Sequence, residues 1–118
     1  MQRQALRVLV VEDDPDLRAV ILEVLEEAGH VAVGVGDVPA ARGRLGGADV
    51  VLLDLHLPGE PAEGLLAELR PAGVEVVLTS ADASSRARVV AERWSAPLVV
   101  KPFDLDDLLR TIEGARAR

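Results

Sequence analysis

Short apolar runs alternate with longer amphipathic ones along the chain. "LRVLVVE" (6–12) has the length and β-branched content of a buried strand. Asp14 then offers an N-cap and Pro15 suits the first helical position. Leu17, Val20, Ile21, Val24, Leu25 and Ala28 follow at helical spacing, and Gly29 is placed to end that helix. "HVAVGV" (30–35) predicts a second strand, and 38–46 a short Ala/Arg-rich helix stopped by Gly46-Gly47. "ADVVLLDL" (48–55) reads as a central third strand. A Pro/Gly-rich loop at 58–61 leads to a helix from Ala62 to Arg70. "VEVVLTS" (74–80) predicts a fourth strand, and 83–94 a helix started by Asp82.

The last unit is "PLVVKPFDLDDLL" (97–109), with a fifth strand at 98–100 and a final helix led by Phe103 and Asp104. Asp104 and Asp107 have the spacing of a capping pair, and Leu105, Leu108, Leu109 and Ile112 form the apolar stripe. Residues 113–118 are expected to fray, or to open a linker to something longer. Five strand–helix units within residues 1–118 predict one α/β domain: an open, doubly wound parallel sheet with helices on both faces.

Composition narrows the chemistry. Of 118 residues, 49% are hydrophobic, with one Trp, one Phe and no Tyr, so the core must be built from aliphatic layers. The net charge of −7 argues against nonspecific nucleic-acid binding, which needs a basic footprint. Without cysteine there is no disulfide framework, thiolate metal site or cysteine nucleophile. No apolar run is long enough to span a bilayer and no secretion signal is visible, so no membrane partner and a cytoplasmic location are expected.

In an open α/β sheet, ligands bind beyond the carboxyl ends of the strands. Strand 1 ends in Glu12, Asp13 and Asp14, strand 3 in Asp54, strand 4 in Thr79-Ser80, and strand 5 in Lys101. Each alone has an ordinary role. Asp14 caps a helix, Glu12 or Asp13 is a solvated strand end, Asp54 bonds loop amides, Thr79 satisfies loop backbone, and Lys101 snorkels to water. Their convergence on one edge of one sheet favours chemistry instead. Clustered carboxylates need an offsetting cation, and oxygen ligands suit Mg²⁺. With Lys101 and the Thr79 hydroxyl nearby, the set suits a phosphoryl group carried on Asp54 as the nucleophile.

"VLVVEDD", "DVVLLDLHLPG", "VVLTSAD" and "VVKPFDLDDLL", in this order and spacing, resemble the receiver domain of two-component response regulators over essentially the whole chain. The resemblance implies a flavodoxin-like (βα)5 fold with strand order 2-1-3-4-5. It implies that Glu12 and Asp13 hold Mg²⁺ with Asp54, and that His56 gives the metal its backbone carbonyl. Asp54 would be the phosphoacceptor, Thr79 would turn toward the phosphoryl group, and Lys101 would pair with it. A cis Lys101-Pro102 peptide is also implied. The implied partners are a sensor histidine kinase or histidine phosphotransferase, and an output domain or protein met through helix 4, strand 5 and helix 5. A homodimer is an open arrangement. Such a domain is a signalling phosphoacceptor, not a conventional enzyme, although its own site catalyses acquisition and loss of the phosphoryl group.

Several positions depart from the family pattern. Leu98 stands where Tyr or Phe is usual, so coupling through that ring must be weaker, absent or carried elsewhere. Trp94-Ser95 replaces a Gly-Ala pair, which makes Trp94 either helix-end core or an exposed anchor. "GEPAEG" moves an acidic-glycine pair to Glu63-Gly64 and shortens helix 3. His56 and Ala81, two positions beyond Asp54 and Thr79, are expected to change the phosphoryl lifetime. A phosphorylation-independent pseudo-receiver, acting in protein interaction or dimerisation, is the alternative. A small nucleotide-binding enzyme is disfavoured, because "VEDDPD" offers no glycine-rich phosphate cradle.

Overall fold

Aliphatic runs too short for helices pair side by side in the computed structural model, which describes residues 5–81 and 85–117. The strands are β1 (Arg7–Val11), β2 (Val31–Val35), β3 (Val50–Asp54), β4 (Glu75–Ser80) and β5 (Leu98–Val100). They form one parallel sheet in the order β2-β1-β3-β4-β5. The helices are α1 (Pro15–Glu27), α2 (Val38–Arg42), α3 (Ala62–Leu69), α4 (Ser85–Trp94) and α5 (Leu105–Ala117).

Alternating residues of the central strands enter two separate aliphatic cores. Leu9, Val11, Val51, Leu53 and Leu78 meet α2, α3 and α4, while Val8, Val10, Val50, Leu52 and Val77 meet α1 and α5. Because both faces are covered, β3 is buried at every position, which accounts for its unbroken apolar run.

Helix starts follow their predicted caps. Asp14 accepts from the N–H groups of Asp16 and Leu17, and Asp104 from those of Asp106 and Asp107. Asp107 does not close a reciprocal box; it pairs with Arg110. The Asp82 cap lies outside the described residues. Helix ends depart more. The second helix stops at Arg42 with Gly43 as its C-cap, well before Gly46-Gly47, because a backbone glycine already interrupts so short a helix. The last helix continues to Ala117 through the stretch expected to fray, with Ala115 1% exposed against the α1–α5 core. Burial of that one small side chain supplies packing that the Arg/Ala composition does not reveal. Val20, placed on the apolar stripe of α1, is 42% exposed.

Three helices end in the same paired hydrogen-bond motif. At α4, Ser95 N–H donates to Glu92 and Ala96 N–H to Ala91. The left-handed position is glycine at the ends of α1 (Gly29) and α3 (Gly73), but at α4 it is Ser95, with φ +52°.

Candidate functional site

Parallel register carries Asp54 and Thr79 to the same level, since their Cα atoms are partners across β3 and β4. Both are almost fully buried, as is Glu12 just past β1. Lys101 follows β5, its backbone N–H donating to Ser80 C=O at 2.8 Å. The Lys101-Pro102 peptide is cis. Thus four strand ends deliver a carboxylate, a second carboxylate, a hydroxyl and an ammonium to one edge.

The charges are interlocked. Lys101 Nζ donates to Glu12 Oε1 at 2.7 Å and to Asp54 Oδ2 at 2.9 Å. The Glu12 Oε2 atom accepts from Asp14 N–H, and Asp54 Oδ1 accepts from His56 N–H at 2.9 Å. Burial raises the Glu12 pKa above its ordinary 4.5, and Asp54 adds repulsion; the Lys101 and Asp14 hydrogen bonds only partly counter this. For Lys101 burial works the other way, against the ammonium. Hydrogen bonds to Glu12 and Asp54 outweigh it and raise the pKa above 10.5.

Asp13 is exposed at the rim, and ligand oxygens of Glu12, Asp13 and Asp54 lie within 4.8 Å of one another. Three hard carboxylate donors with one ammonium leave an excess of negative charge, a donor set that fits a divalent cation with some water retained. The acidic cluster is therefore capable of coordinating a metal ion.

Two neighbours carry functions that the linear pattern does not assign. The Arg18 guanidinium, from α1, donates to Glu12 C=O at 2.7 Å and so fixes the end of β1. The only advance signal is its place one turn into the helix that follows the acidic pair. Ser80 Oγ lies 2.9 Å from His56 Nε2, joining the loops after β3 and β4. Two hydroxyl residues in series at a strand end are the only hint of that contact.

The altered loop after Asp54 is held at both sides. Arg42 pairs with Glu60 and Glu68, while Arg86 on α4 donates to Glu63 at 2.8 Å. Hydrogen bonds to Glu60 and Glu68 raise the Arg42 pKa, and Arg42 in turn lowers that of Glu60. Trp94 is helix-end core: it packs on the α2–α4 side, with the Arg70 guanidinium 4.5 Å from its ring centroid. Leu98 is half-buried against the same core. Beside Lys101, a groove of about 630 Å³ is walled by Leu17, Val20, Pro102, Phe103 and Leu105. No described helix is long and apolar enough to cross a membrane.

The family model for the response regulator receiver domain matches residues 8–113. The sensory transduction protein RegX3 of Mycolicibacterium smegmatis is 35% identical over 115 residues, covering 94% of this chain and 50% of that protein. A putative response regulator from Chloroflexus aurantiacus superposes with a TM-score of 0.87 at 21% identity, covering 98% of this chain and all of that one (100%). NtrX from Brucella abortus superposes with a TM-score of 0.87 at 28% identity, covering 97% of this chain and 27% of the other. The chain spans about half the length of the curated relatives it matches. It belongs to the response regulator receiver domain family. It is a receiver of two-component phosphorelay signalling rather than a conventional enzyme.

Proposed function

We propose that Asp54 accepts a phosphoryl group from a phosphohistidine of a sensor histidine kinase or histidine phosphotransferase. The observation that carries this reading is the Lys101 ammonium 2.9 Å from a buried Asp54 carboxylate, at the edge where Glu12, Asp13 and Thr79 also converge. Asp54 Oδ2 is the attacking oxygen: its bond to phosphorus forms as the phosphorus–nitrogen bond of the phosphohistidine breaks, and the electron pair stays on the departing imidazole of the donor. Lys101 moves from this oxygen to an oxygen of the incoming phosphoryl group, and the Thr79 hydroxyl donates to another.

Glu12, Asp13, Asp54 and the His56 carbonyl are the ligands for Mg²⁺. When bound, the ion neutralises phosphoryl charge and screens the carboxylates from one another. Ser80 and His56 couple the two loops at the site, while Glu63–Arg86 links α3 to the start of α4. A shift of Thr79 and its strand end is thereby felt at α4, β5 and α5, the face assigned to the output domain or protein and to any homodimer. Neither nucleic acid nor membrane is bound by this segment itself, in keeping with a net charge of −7.

The test is acetyl phosphate with Mg²⁺, read by intact mass. One phosphoryl group is expected on the wild type, none on Asp54→Ala, and none when Mg²⁺ is chelated. The second reading, a phosphorylation-independent interaction module, is favoured by Leu98, whose aliphatic side chain in β5 has neither ring nor hydroxyl to report on the site. Wild type that stays unlabelled under these conditions would establish it over the first.

A further inference from the structure

One edge of the sheet is left open at β2. Val31 N–H donates to Leu6 C=O, and Val35 C=O accepts from Glu12 N–H, so Val31, Val33 and Val35 turn their backbone groups toward β1. The N–H and C=O groups of Ala32 and Gly34 therefore point away from the sheet, and no described residue pairs with them. Edges of this kind are ordinarily blunted by lysine, proline or a bulge. The strand Val31–Val35 contains neither charge nor proline, and it pairs with β1 residue for residue without a bulge. Val31 and Val33 are 54% and 38% exposed on the α2 side, because α2 ends at Arg42 and does not reach over them. Arg7, the register partner of Val31, and Arg44 flank these valines, and neither guanidinium has an ion-pair partner among the described residues. Beyond the other end of β2, Asp37 caps α2 on the same side of the sheet and is exposed.

We propose that this edge pairs with β2 of a second copy of the chain, antiparallel about a twofold axis at Val33. Ala32 then lies opposite Gly34 of the second copy and exchanges both N–H···O=C bonds with it, and the twofold repeats this for Gly34. With Val33 at the axis, the two residues whose backbone groups are free serve each other. Val33 meets Val33 of the second copy at a position without hydrogen bonds, where side chains come closest, and Val31 meets Val35. The exposed valines are thereby covered. Charge agrees with this register: Arg7 and Arg44, at the Val31 end, face Asp37 of the second copy, just past its Val35. The contact needs no phosphoryl group. It lies on the sheet edge opposite β5 and leaves the α4–β5–α5 face free.

The chain has no cysteine, so single introduced cysteines report the register directly. In Val33→Cys the two thiols meet across the axis, with Cα atoms about 4.5 Å apart, a separation that a disulfide spans. Val31→Cys, although more exposed, sets its two Cα atoms about 14 Å apart along the antiparallel strands. Mild oxidation with diamide is expected to turn Val33→Cys into a covalent dimer and to leave Val31→Cys monomeric, as read by intact mass. Sedimentation equilibrium of unphosphorylated wild type, from micromolar to millimolar concentration, should show a reversible dimer. Val33→Lys sets like charges opposite each other and should weaken that dimer about tenfold, while Val89→Lys, on exposed α4 surface, leaves it unchanged. Val33 is already partly exposed in the single chain, so the fold tolerates these changes, and circular dichroism checks it. Absence of a covalent dimer from Val33→Cys would overturn the inference, as would Val31→Cys cross-linking just as readily. A dimer dissolved by Val89→Lys and not by Val33→Lys would place the contact elsewhere and also overturn it. Wild type that stays monomeric throughout rejects the second copy and gives the edge to a strand of another protein.

Discussion

The Lys101 ammonium stands 2.9 Å from the Asp54 carboxylate, although the two residues are 47 positions apart in the chain. It also holds Glu12 at 2.7 Å, so one cation serves two nearly buried anions.

Removing that cation leaves both carboxylates facing each other. Loss of one partner from a fully buried ion pair costs about 3–5 kcal/mol. Lys101 retains some solvent access, so a smaller loss of about 1–3 kcal/mol is expected for Lys101→Met. Millimolar Mg²⁺ should restore more stability to the variant than to the wild type, since the ion takes over the missing charge. Urea denaturation with and without Mg²⁺ measures both effects. Equal stability of the two proteins without metal would show that Lys101 is not the counter-charge.

The same contact sets a pH dependence. The Lys101 pKa in the folded protein lies above 10.5, so on raising the pH the unfolded chain loses this proton first. Between the two values the native state binds more protons, and stability falls as pH rises. The stability that Lys101 contributes is therefore complete below pH 10.5 and disappears above it. The stability gap between wild type and Lys101→Met should stay level from neutral pH upward and close only beyond that point. Chemical denaturation across alkaline pH would read it; a gap that closes well below 10.5 contradicts the raised value.

Much of this arrangement was legible in the sequence because strands have a short period and definite ends. Apolar runs stopping at Glu12, Asp54, Thr79 and Lys101 mark a sheet edge, and a parallel sheet puts all such ends together. What escaped depends on contacts between distant segments. His30 reads as the first residue of a strand. In the fold it is buried, accepting from Leu6 N–H through Nδ1 and bonding Glu113 through Nε2, on the helix end expected to fray. The exposure of Val20 and the early stop at Arg42 are likewise set by what packs above them, and helical spacing carries no record of that. Leu98 and Trp94 were visible as substitutions, but only packing shows that both face the α2–α4 core.

Ser95 shows a local rule broken without visible return. It occupies the left-handed position that ends α4, at φ +52°, where α1 and α3 use glycine. A side chain in this region costs about 1–2 kcal/mol in steric crowding. Glycine avoids that cost but adds freedom to the unfolded chain, which returns about 0.5–1 kcal/mol. Ser95→Gly is thus expected to stabilise by about 0.5–1 kcal/mol. Thermal or urea unfolding would detect it, and a destabilised variant would mean that the Ser95 side chain makes a contact worth more than the strain.

Gly34 has the opposite constraint, one of space. A Cβ there would meet Arg18 Cγ at 2.9 Å, Arg18 Cδ at 3.0 Å and Leu22 Cδ1 at 3.0 Å. These atoms belong to α1, and the Arg18 stem lies between β2 and the guanidinium that holds Glu12 C=O. Gly34→Ala should therefore cost about 1–3 kcal/mol through overpacking. Part of this comes from displacing Arg18, so the penalty should shrink when Arg18 is already Ala. A coupling of at least about 0.5 kcal/mol between Gly34→Ala and Arg18→Ala is expected, as for residues in direct contact. The same displacement loosens the carbonyl at the end of β1, so Gly34→Ala should weaken Mg²⁺ binding even though Gly34 is remote from the carboxylates. A double-mutant cycle in urea, paired with metal titration by calorimetry, separates the two effects. Additive stabilities would mean that the helix shifts as a body and Arg18 is not the element that yields.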